Sequence, residues 1–540
     1  MHDTVLRGGV IVDGLGAPPR PGDVAIDHGQ VSALGEVGKG AEELDIRGLV
    51  VSPGFIDIHT HSDFTLFNNP LAPHAVLQGV TTEVIGNCGF SLAPISDEYR
   101  TDFEELVRPL GEGINWSWRT FGESLDALMR AHPCQNMVPL VGHGTIRTAV
   151  RGLGKGSPTE VEQKRMRALV GEAMDAGFWG FSTGLIYPPG VYASLDEIAD
   201  IAREVHTAGG LYSTHMRDEG NHLLDAIEEA IEVASRTGVQ LQISHLKAVG
   251  RKNWGKVRAA LQRIDTARDN GLAVHTDFYP YEAASTFMTA LLPPWVHDGG
   301  ISAMVERLQT PETRLTMKSQ MIAGVDGWWN PYLASEGWDK IIITSVVSEK
   351  NQRFEGLRVS DAARRVDRDP FDFVFDLLID ERGGALMAAF LMSDSDLKLL
   401  AAYPNAAIGS DSVGVVSAGK RAHPRAYGSF VRFLGQYVRE LKVITIEEGI
   451  RRMTSLPAGI MGLPDRGRIT VGSAADIVVL DPEKISDQTS YAEPTRPPIG
   501  VAAVFVNGRQ VVKEGKSTGA RPGRILKHRR VMASDTVSTD

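Results

Sequence analysis

Two histidines near the start of the chain have the spacing of a metal chelate. His59 and His61 lie in the run GFIDIHTH, whose apolar and β-branched residues predict a strand. Side chains two positions apart point to the same side of a strand, so both imidazoles can bind one cation. Asp63 follows, and its direction is less well defined by the pattern. Histidine pairs also arise by chance in a chain with 15 histidines, so this reading needs further ligands.

Four more residues able to bind a metal or move a proton follow other apolar runs. Cys88 lies in TTEVIGNCG, His215 ends LYSTH, His245 ends QLQISH and Asp411 ends AAIGSD. Thiolates and imidazoles are zinc ligands, and a carboxylate suits ligation or general-base work. Each residue alone is typical of a packed interior, but their repetition at strand ends would require several independent accidents. The set therefore predicts a metal-dependent active site.

Alternating strand-like and helical patterns occupy the chain between about Pro53 and Leu463. Segments such as PTEVEQKRMRALVGEAMDAG and HLLDAIEEAIEVASRTG have helical apolar spacing. The strand-like runs are GFIDIHTH, TTEVIGNCG, NMVPLVGH, FWGFSTGL, LYSTHM, QLQISHL, LAVHTDFY and AAIGSD. Eight parallel strands with intervening helices predict an α/β fold, the (β/α)8 TIM barrel. Active sites of that fold lie at the carboxyl ends of the strands, where the potential ligands stand.

The two ends of the chain have a different character, with short β-branched runs separated by glycine turns. We expect residues 1–52 and 466–525 to form one small β-sandwich. The catalytic barrel then occupies 53–465, with a lid insertion at about 283–400 because that gap exceeds an ordinary crossover. Residues 526–540 are expected to be a tail.

Composition excludes several other classes of protein. A net charge of -11 without a long basic run gives no support for a nucleic-acid-binding surface. Two cysteines, Cys88 and Cys134, exclude a disulfide framework. No stretch approaches the roughly 18 to 20 apolar residues of a membrane span, and the first residues lack a signal-peptide pattern. We therefore expect a cytoplasmic protein with a small-molecule substrate and neither nucleic-acid nor membrane partners, its oligomeric state being left open.

Longer motifs in the chain resemble those of a known family. The run PGFIDIHTHSD is similar to the signature of the amidohydrolase superfamily, and QGVTTEVIGNCGFSLAP resembles its D-aminoacylase branch, the N-acyl-D-amino-acid deacylases. The similarity continues in VGHGTIR, GFSTGLIYPPG, THMRDEG, ISHLK, DFYPYEAAST, IGSDS and HPRAYGSFVRFLG. These motifs run through most of the chain, so the resemblance is specific.

The resemblance implies a set of zinc ligands. In that branch a cysteine replaces the carboxylated lysine of related amidohydrolases, and GFSTGL indeed contains no lysine. One tightly held zinc would be bound by Cys88, His215 and His245. A second, weaker position would be lined by His59, His61 and Asp411, with Cys88 able to bridge.

The resemblance also implies the reaction, zinc-dependent hydrolysis of N-acyl-D-amino acids to a carboxylate and a free D-amino acid. Zinc supplies an activated water and polarises the carbonyl. Asp411 is our predicted general base, taking the water's proton and passing it to the departing amine. Selection of D over L substrates is implied by the resemblance alone.

Substrate recognition requires cations and hydroxyls, because an N-acyl amino acid carries a carboxylate beside the scissile amide. Lys247, on the same strand face as His245, and Arg425 in HPRAYG are the predicted cations. The apolar run STFMTALLPPWVHD could line a pocket for an apolar side chain or acyl group, since it contains no arginine. Further predicted substrate contacts are Tyr187, which matches the family's hydroxyl donor, and Tyr279, Ser285 and His143.

Two other readings use the same residues. An amidohydrolase of a cyclic ureide or imide, a carbamate, or a D-peptide-like or natural-product amide would keep the six metal-site residues. It would depend less on Lys247 and Arg425, because its substrate need not carry a carboxylate. A catalytically silent barrel is the reading from another class, but such barrels usually lack ligands, and here all are present.

Overall fold

The computed structural model describes residues 1–111, 113–414 and 422–529. Its strands are β1 His2–Ile11, β2 Arg20–Asp27, β3 Gln30–Gly35, β4 Gly40–Asp45, β5 Val50–Pro53, β6 Phe55–Asp57, β7 Val80–Ile85, β8 Asn136–Pro139, β9 Val141–Gly142, β10 Gly180–Gly184, β11 Leu211–His215, β12 Gln240–Ile243, β13 Val274–Phe278, β14 Ala283–Phe287, β15 Ile341–Ser345, β16 Leu386–Phe390, β17 Ala406–Ile408, β18 Ile477–Leu480, β19 Val501–Val506, β20 Arg509–Lys513 and β21 Lys516–Ser517.

The α-helices are α1 Pro73–Val76, α2 Arg100–Val107, α3 Phe121–Arg130, α4 His143–Arg151, α5 Glu160–Ala176, α6 Leu195–Thr207, α7 Leu223–Thr237, α8 Lys256–Asp269, α9 Gly300–Gln309, α10 Pro311–Ala323, α11 Pro331–Ala334, α12 Val359–Arg365, α13 Pro370–Asp380, α14 Asp394–Ala402, α15 Arg425–Arg432, α16 Ile446–Met453 and α17 Ser455–Met461. A π-helical segment, Phe433–Glu440, continues α15. Among the described residues, no helix combines the length and apolar composition needed to cross a membrane.

A parallel barrel occupies the middle of the chain. Strands β6, β7 and β8 pair in that order, and β9 to β13 continue to β17. A single residue, Leu140, separates β8 from β9, so these two strands occupy one position in the barrel wall, which we call a stave. The described residues form eight such staves. Closure between the last and first staves comes from the Asp411 N–H, which donates to the His59 carbonyl at 2.8 Å, and from a parallel bridge between Thr60 and Ser412.

Local sequence defines where the outer helices begin and end. The Thr159 hydroxyl accepts from the Glu162 N–H while the Glu162 carboxylate accepts from the Thr159 N–H, which forms a capping box at the start of α5. Gly177 and Gly238 end α5 and α7 with φ values of 107° and 75°, a left-handed conformation that glycine adopts without strain. These helices cover the barrel and leave its carboxyl-end rim to the loops.

Both ends of the chain form one small β domain. Its sheet runs β21-β20-β19-β18-β5-β1-β2-β3, with β4 also paired to β1. Gly29, in the β2–β3 turn, meets Gly508 of the β19–β20 turn, so the sheet curves until its two halves approach. Its apolar interior contains Leu6, Val24, Ile26, Ile477, Val479 and Phe505. The faces of the expected sandwich therefore belong to a single continuous sheet.

An insertion follows strand β13 and builds a second core. Its sheet is antiparallel, in the order β14-β16-β15, and helices α9 to α13 pack around it. Buried members of this core include Met288, Leu308, Met317, Ile343, Val374 and Phe375. Helix α14 instead contributes Leu397 and Leu400 to the barrel core. The expected end of the insertion at about residue 400 therefore falls inside a barrel helix.

The segment before the C-terminus lies against the amino-terminal ends of the barrel strands. The Leu526 N–H donates to the Met137 carbonyl at 2.8 Å, and the Trp179 indole donates to the Leu526 carbonyl at 2.6 Å. The first residues of the expected tail, 526–529, are thus hydrogen-bonded to the barrel. Residues 530–540 of that tail lie outside the described residues.

Candidate metal centre

The loops that follow β6, β7 and β17 bring one group of potential ligands together. His61 Nε2 lies 3.3 Å from Asp411 Oδ1, and His59 Nε2 lies 3.6 Å from the same oxygen. Cys88 Sγ is 3.3 Å from His59 Nε2. The ligand atoms of these four residues all lie within 4.8 Å of one another, and all four side chains are buried.

A second group shares the same thiol. Cys88 Sγ lies 3.7 Å from His215 Nδ1 and 3.6 Å from His245 Nε2. His215 ends strand β11 and His245 follows β12, so neighbouring staves deliver both rings to one point. The six residues predicted as metal ligands therefore come together as two groups joined through Cys88.

The donor set fits zinc. Sulfur and nitrogen ligands at their usual zinc distances stand about 3.3 to 3.6 Å apart around a tetrahedral ion. The distances from Cys88 Sγ to the His59, His215 and His245 nitrogens, 3.3 to 3.7 Å, match that spacing. A cation among these buried donor atoms would satisfy their lone pairs together.

Backbone strain coincides with the ligands. Cys88, His245 and Asp411 have φ values of 52°, 35° and 51°, in the left-handed region that non-glycine residues rarely adopt. Such positions cost about 1 to 3 kcal/mol each and persist where the surrounding structure imposes them. Gly142 allows the turn around Cys88, since a Cβ on it would lie 2.4 Å from the carbonyl carbon of Gly89.

Burial governs the protonation of these groups. Burial raises the pKa of the Cys88 thiol well above its ordinary value and lowers the pKa values of His215 and His245 well below theirs. Burial also opposes ionisation of Asp411, but the Arg425 guanidinium and the nearby imidazoles hold its pKa well below the ordinary range. His215 and His245 are therefore neutral and lie beside an ionised Asp411 carboxylate.

Two carboxylates beside the ligands were missed by sequence reasoning. Glu219 Oε1 lies 3.0 Å from His245 Nδ1. Asp277 Oδ1 lies 3.7 Å from His59 Nδ1 and also accepts a hydrogen bond from the backbone N–H of His245. Asp277 is the last residue but one of β13, and Glu219 stands four residues after His215. Position at a strand end was the available signal for Asp277. No sequence signal joins Glu219 to His245, which belongs to a different strand.

A cavity of about 60 Å³ opens beside Asp411. Its lining includes Ser285, Thr344, His423 and Arg425. Arg425 Nη1 lies 2.8 Å from Asp411 Oδ2, and its guanidinium stacks 4.7 Å from the centre of the Tyr279 ring. The structure therefore brings the predicted contacts Ser285, Tyr279 and Arg425 to the predicted base.

An apolar cavity of about 70 Å³ lies on the other side of Tyr187. The rings of Phe90, Tyr187 and Phe287 pack with centroids 5.2 to 5.6 Å apart, and the Tyr187 ring also packs 5.2 Å from His215. The Tyr187 hydroxyl pairs with the Thr286 hydroxyl at 2.8 Å. The insertion and the barrel thus both contribute walls next to the metal centre.

Two predicted substrate contacts have other partners. Lys247 Nζ lies 2.5 Å from Glu219 Oε1 and 2.7 Å from His245 Nδ1, so it belongs to the metal centre's surroundings. His143 is fully buried at the start of α4, where Nε2 pairs with Glu197 at 2.9 Å. It lies outside both ligand groups.

These features define a class of protein, a TIM-barrel hydrolase with a metal centre at the carboxyl ends of its strands. Residues 42–512 match the model of the amidohydrolase family, and the chain belongs to that family. It is 34% identical over 526 residues to a D-aminoacylase of Alcaligenes xylosoxydans xylosoxydans, covering 97% of each protein. An N-acyl-D-aspartate deacylase of the same organism is 34% identical over 528 residues, covering 97% of this chain and 95% of the relative.

Solved structures agree with the sequence comparison. N-acyl-D-glutamate deacylase from Bordetella bronchiseptica, crystallised with zinc and a phosphonate that mimics the tetrahedral intermediate, has a TM-score of 0.83 at 33% identity. The match covers 97% of this chain and 99% of that one. A D-aminoacylase with a binuclear metal centre has a TM-score of 0.82 at 32% identity, covering 98% and 100%. The predicted family, barrel fold with a small β domain, and class of metal-dependent amide hydrolase are confirmed.

Proposed function

We propose that this protein hydrolyses the amide bond of N-acyl-D-amino acids, releasing a carboxylate and a free D-amino acid. The observation that carries the proposal is the contact of Asp411 with both His61 and Arg425. This contact places a potential proton acceptor between the metal ligands and a cation suited to the substrate's carboxylate. The relatives named for deacylation of N-acyl-D-amino acids support the same reaction.

Cys88, His215 and His245 would hold one tightly bound zinc, and His59, His61 and Asp411 would line a second, weaker position. Zinc, when bound, supplies Lewis-acid polarisation of the amide carbonyl and activation of water. The shared thiol makes the two positions dependent on each other. The zinc-bound relative and the relative with a binuclear centre support both positions.

Asp411 acts as the general base. Its ionised carboxylate accepts a proton from the attacking water and later gives that proton to the departing amine nitrogen. His61 Nε2, 3.3 Å from Oδ1, and Arg425, 2.8 Å from Oδ2, orient the carboxylate. Without protonation, expulsion of the amine would be prohibitively slow.

The substrate's carboxylate binds in the cavity beside Asp411. Arg425 supplies the nearest positive charge, and its contact with the Tyr279 ring fixes the guanidinium plane. Ser285 lines the same cavity, and Lys247 lies 5.7 Å from the centre of the Tyr279 ring. Tyr187 lines the apolar cavity, and its role as a further hydroxyl donor to this carboxylate is proposed from the family resemblance, whereas His143 supports α4 through Glu197.

The apolar cavity favours an apolar side chain or acyl group. Its described lining contains Phe90, Leu106, Leu153, Phe287 and Ile301 and no lysine or arginine. The carboxylate that does line it, Glu105, pairs with Arg382 at 2.9 Å, so its charge is already balanced. Sequence identity does not distinguish an apolar from an acidic substrate, because the relatives named for D-aspartate and D-glutamate substrates are also 34% identical to this chain.

We also propose a cytoplasmic location. Cys88 and Cys134 are both free and buried, which suits a reducing compartment. Fractionation of the source cells, with detection of this chain in the soluble cytoplasmic fraction, is the direct measurement.

The test is amine release from paired N-acetyl-D and N-acetyl-L amino acids by protein of verified zinc content. We expect turnover of the D member, greater for leucine or methionine than for glutamate, and loss of turnover in Asp411→Ala. Absence of turnover of both enantiomers by zinc-loaded protein would contradict the proposal. The substrate search would then turn to cyclic ureides, carbamates and larger amides.

A further inference from the structure

Glu219 reaches three groups of the metal centre with one carboxylate. Its Oε1 lies 2.5 Å from Lys247 Nζ and 3.0 Å from His245 Nδ1, and its Oε2 lies 3.7 Å from His215 Nε2. The side chain is 2% exposed, so these groups rather than solvent must balance its charge.

His215 and His245 present different nitrogens to the shared thiol. His215 faces Cys88 Sγ through Nδ1, and His245 faces it through Nε2. An imidazole that uses one nitrogen as a metal ligand carries its proton on the other. His215 must therefore be protonated on Nε2 and His245 on Nδ1.

Those two protonated nitrogens are the ones that face Glu219. An acceptor beside both N–H groups favours these tautomers, and a carboxylate offers two acceptor oxygens with no donor. With His245 Nδ1 unprotonated, Lys247 Nζ donates to it at 2.7 Å. Once Nε2 binds a metal and Nδ1 carries the proton, both groups are donors and need a shared acceptor. Glu219 Oε1 lies close to both and is that shared acceptor.

The backbone holds Glu219 at this point. The Val249 N–H donates to the Glu219 carbonyl at 2.8 Å, which ties the loop after β11 to the loop after β12. The Asp218 carboxylate accepts the N–H groups of Gly220 and His222 at 2.6 and 3.1 Å. The loop therefore keeps one geometry beside both histidines.

We propose that Glu219 is a positioning residue that selects opposite tautomers of His215 and His245 and keeps Lys247 beside them. The inference rests on the proposed zinc-dependent function. Its Oε1 joins the ammonium of Lys247 to the imidazole of His245, and its Oε2 faces His215 Nε2 at 3.7 Å, a distance longer than a hydrogen bond. Carboxylates behind metal-binding histidines orient the rings and increase their basicity.

The test compares zinc affinity of the full chain and of Glu219→Gln by competition with a chromophoric chelator. Glutamine keeps the shape of the glutamate side chain but has only one acceptor oxygen. Its NH2 group would face one of the two imidazole N–H groups, so glutamine cannot offer an acceptor to both His215 and His245. We expect a roughly 10- to 100-fold loss of zinc affinity. The cobalt-loaded protein reports the same change through its thiolate-to-cobalt absorption band. Glu219→Asp, which keeps both acceptors on a shorter side chain, is expected to lose less affinity.

Glu381→Gln is the matched control. Glu381 is a buried carboxylate of the insertion that accepts the N–H groups of Val347 and Ser348 at 2.7 and 2.9 Å, away from both ligand groups. Its loss is expected to lower the Tm and leave zinc affinity within twofold. Equal zinc affinity and an unchanged cobalt band in Glu219→Gln would overturn the role of Glu219. A natural chain that binds no zinc would instead overturn the proposed function.

Discussion

Burial acts in opposite directions on the titratable residues of the metal centre. It raises the pKa of the Cys88 thiol and lowers the pKa values of His215 and His245. At neutral pH the metal-free protein therefore holds a protonated thiol beside two neutral imidazoles. The imidazoles are ready to bind a metal, whereas the thiol must first lose its proton.

Zinc binding is accordingly expected to release about one proton at pH 7, taken from Cys88. Because the raised pKa keeps the thiol protonated below it, zinc affinity should rise about tenfold per pH unit. Calorimetry in buffers of different ionisation enthalpy measures the released protons. Cys134→Ala is the control, because burial also raises the pKa of Cys134 to about 12 but this thiol belongs to neither ligand group. The number of protons released on zinc binding should be the same in this variant as in the natural protein. Zinc uptake without proton release would contradict this assignment.

Arg425 has two roles that one variant separates. Burial opposes ionisation of Asp411, and the charge of Arg425 is the leading cause that lowers its pKa. Removal of that charge in Arg425→Met should raise the pKa of Asp411, so activity is lost at a higher pH as acid is added. We expect the acid limb of the pH profile of kcat/KM to move upward and KM for N-acyl-D-amino acids to rise at least tenfold.

Arg425→Lys keeps the positive charge, so the acid limb of its pH profile should lie close to that of the natural protein. Lysine cannot make the two-point contact with a carboxylate that arginine makes. A small effect of both variants on KM would favour an uncharged substrate. An acid limb at the same pH in all three proteins would show that Arg425 does not set the ionisation of Asp411.

At the scale of elements, the turns after the barrel strands direct the ligands. The turn after β7 passes between neighbouring staves. The Gly89 N–H donates to the Ser182 hydroxyl at 3.0 Å, and the Gly89 carbonyl accepts from the Thr145 N–H at 3.1 Å. Cys88 adopts its left-handed conformation within this turn. Close packing of backbone on backbone therefore directs the thiol to the histidines.

Gly142→Ala tests that packing. The new Cβ would lie 2.4 Å from Gly89 backbone atoms, so the turn that carries Cys88 must move. We expect a lower Tm and a loss of bound zinc, measured after gel filtration. The control is Gly122→Ala in α3, where a Cβ meets nothing within 4 Å and alanine should stabilise the helix by up to about 1 kcal/mol. Full zinc retention in Gly142→Ala would refute this role of the turn.

At the scale of the whole molecule, buried polar contacts join the β domain to the barrel. Asp476 pairs with Arg466 and accepts from the Asn136 side chain at 3.0 Å, while the Asn507 amide donates to the Asn136 oxygen at 2.8 Å. Arg466 and Asp476 are both buried. The two ends of the chain are therefore held against the barrel by a network that has little access to water.

Asp476→Ala should take the nearest carboxylate from the buried Arg466 guanidinium, which keeps only the Asn507 oxygen at 3.0 Å and the more distant Asp465 carboxylate at 3.8 Å. Breaking such a pair costs about 3 to 5 kcal/mol, so we expect the Tm to fall by several degrees in thermal denaturation. Asp45→Ala removes an exposed pair with Arg47 and should change stability by less than about 1 kcal/mol. Similar Tm values for the two variants would show that the domain contact does not depend on the buried pair.

Much of this arrangement could be predicted from the chain alone. The eight strand-like runs correspond to the eight staves, because alternation of apolar strands and amphipathic helices is a local property. Six residues are predicted as ligands because each stands at a strand end and parallel strands of a barrel share one rim, and the structure brings them together: His59, His61, Cys88, His215, His245 and Asp411. Type and spacing of residues therefore predicted the fold class and the candidate metal ligands.

Other features depend on distances between segments far apart in sequence. Glu219 meets His245 and Lys247 only because β11 and β12 are neighbours, and Arg425, the first residue of α15, meets Asp411, which follows β17. Lys247, predicted to meet substrate, is already paired with Glu219. Sequence determined which side chains could do the chemistry, because strand periodicity is local. Only the tertiary structure decided which of them share a hydrogen bond, because contacts a few ångströms long arise from the packing of the whole barrel.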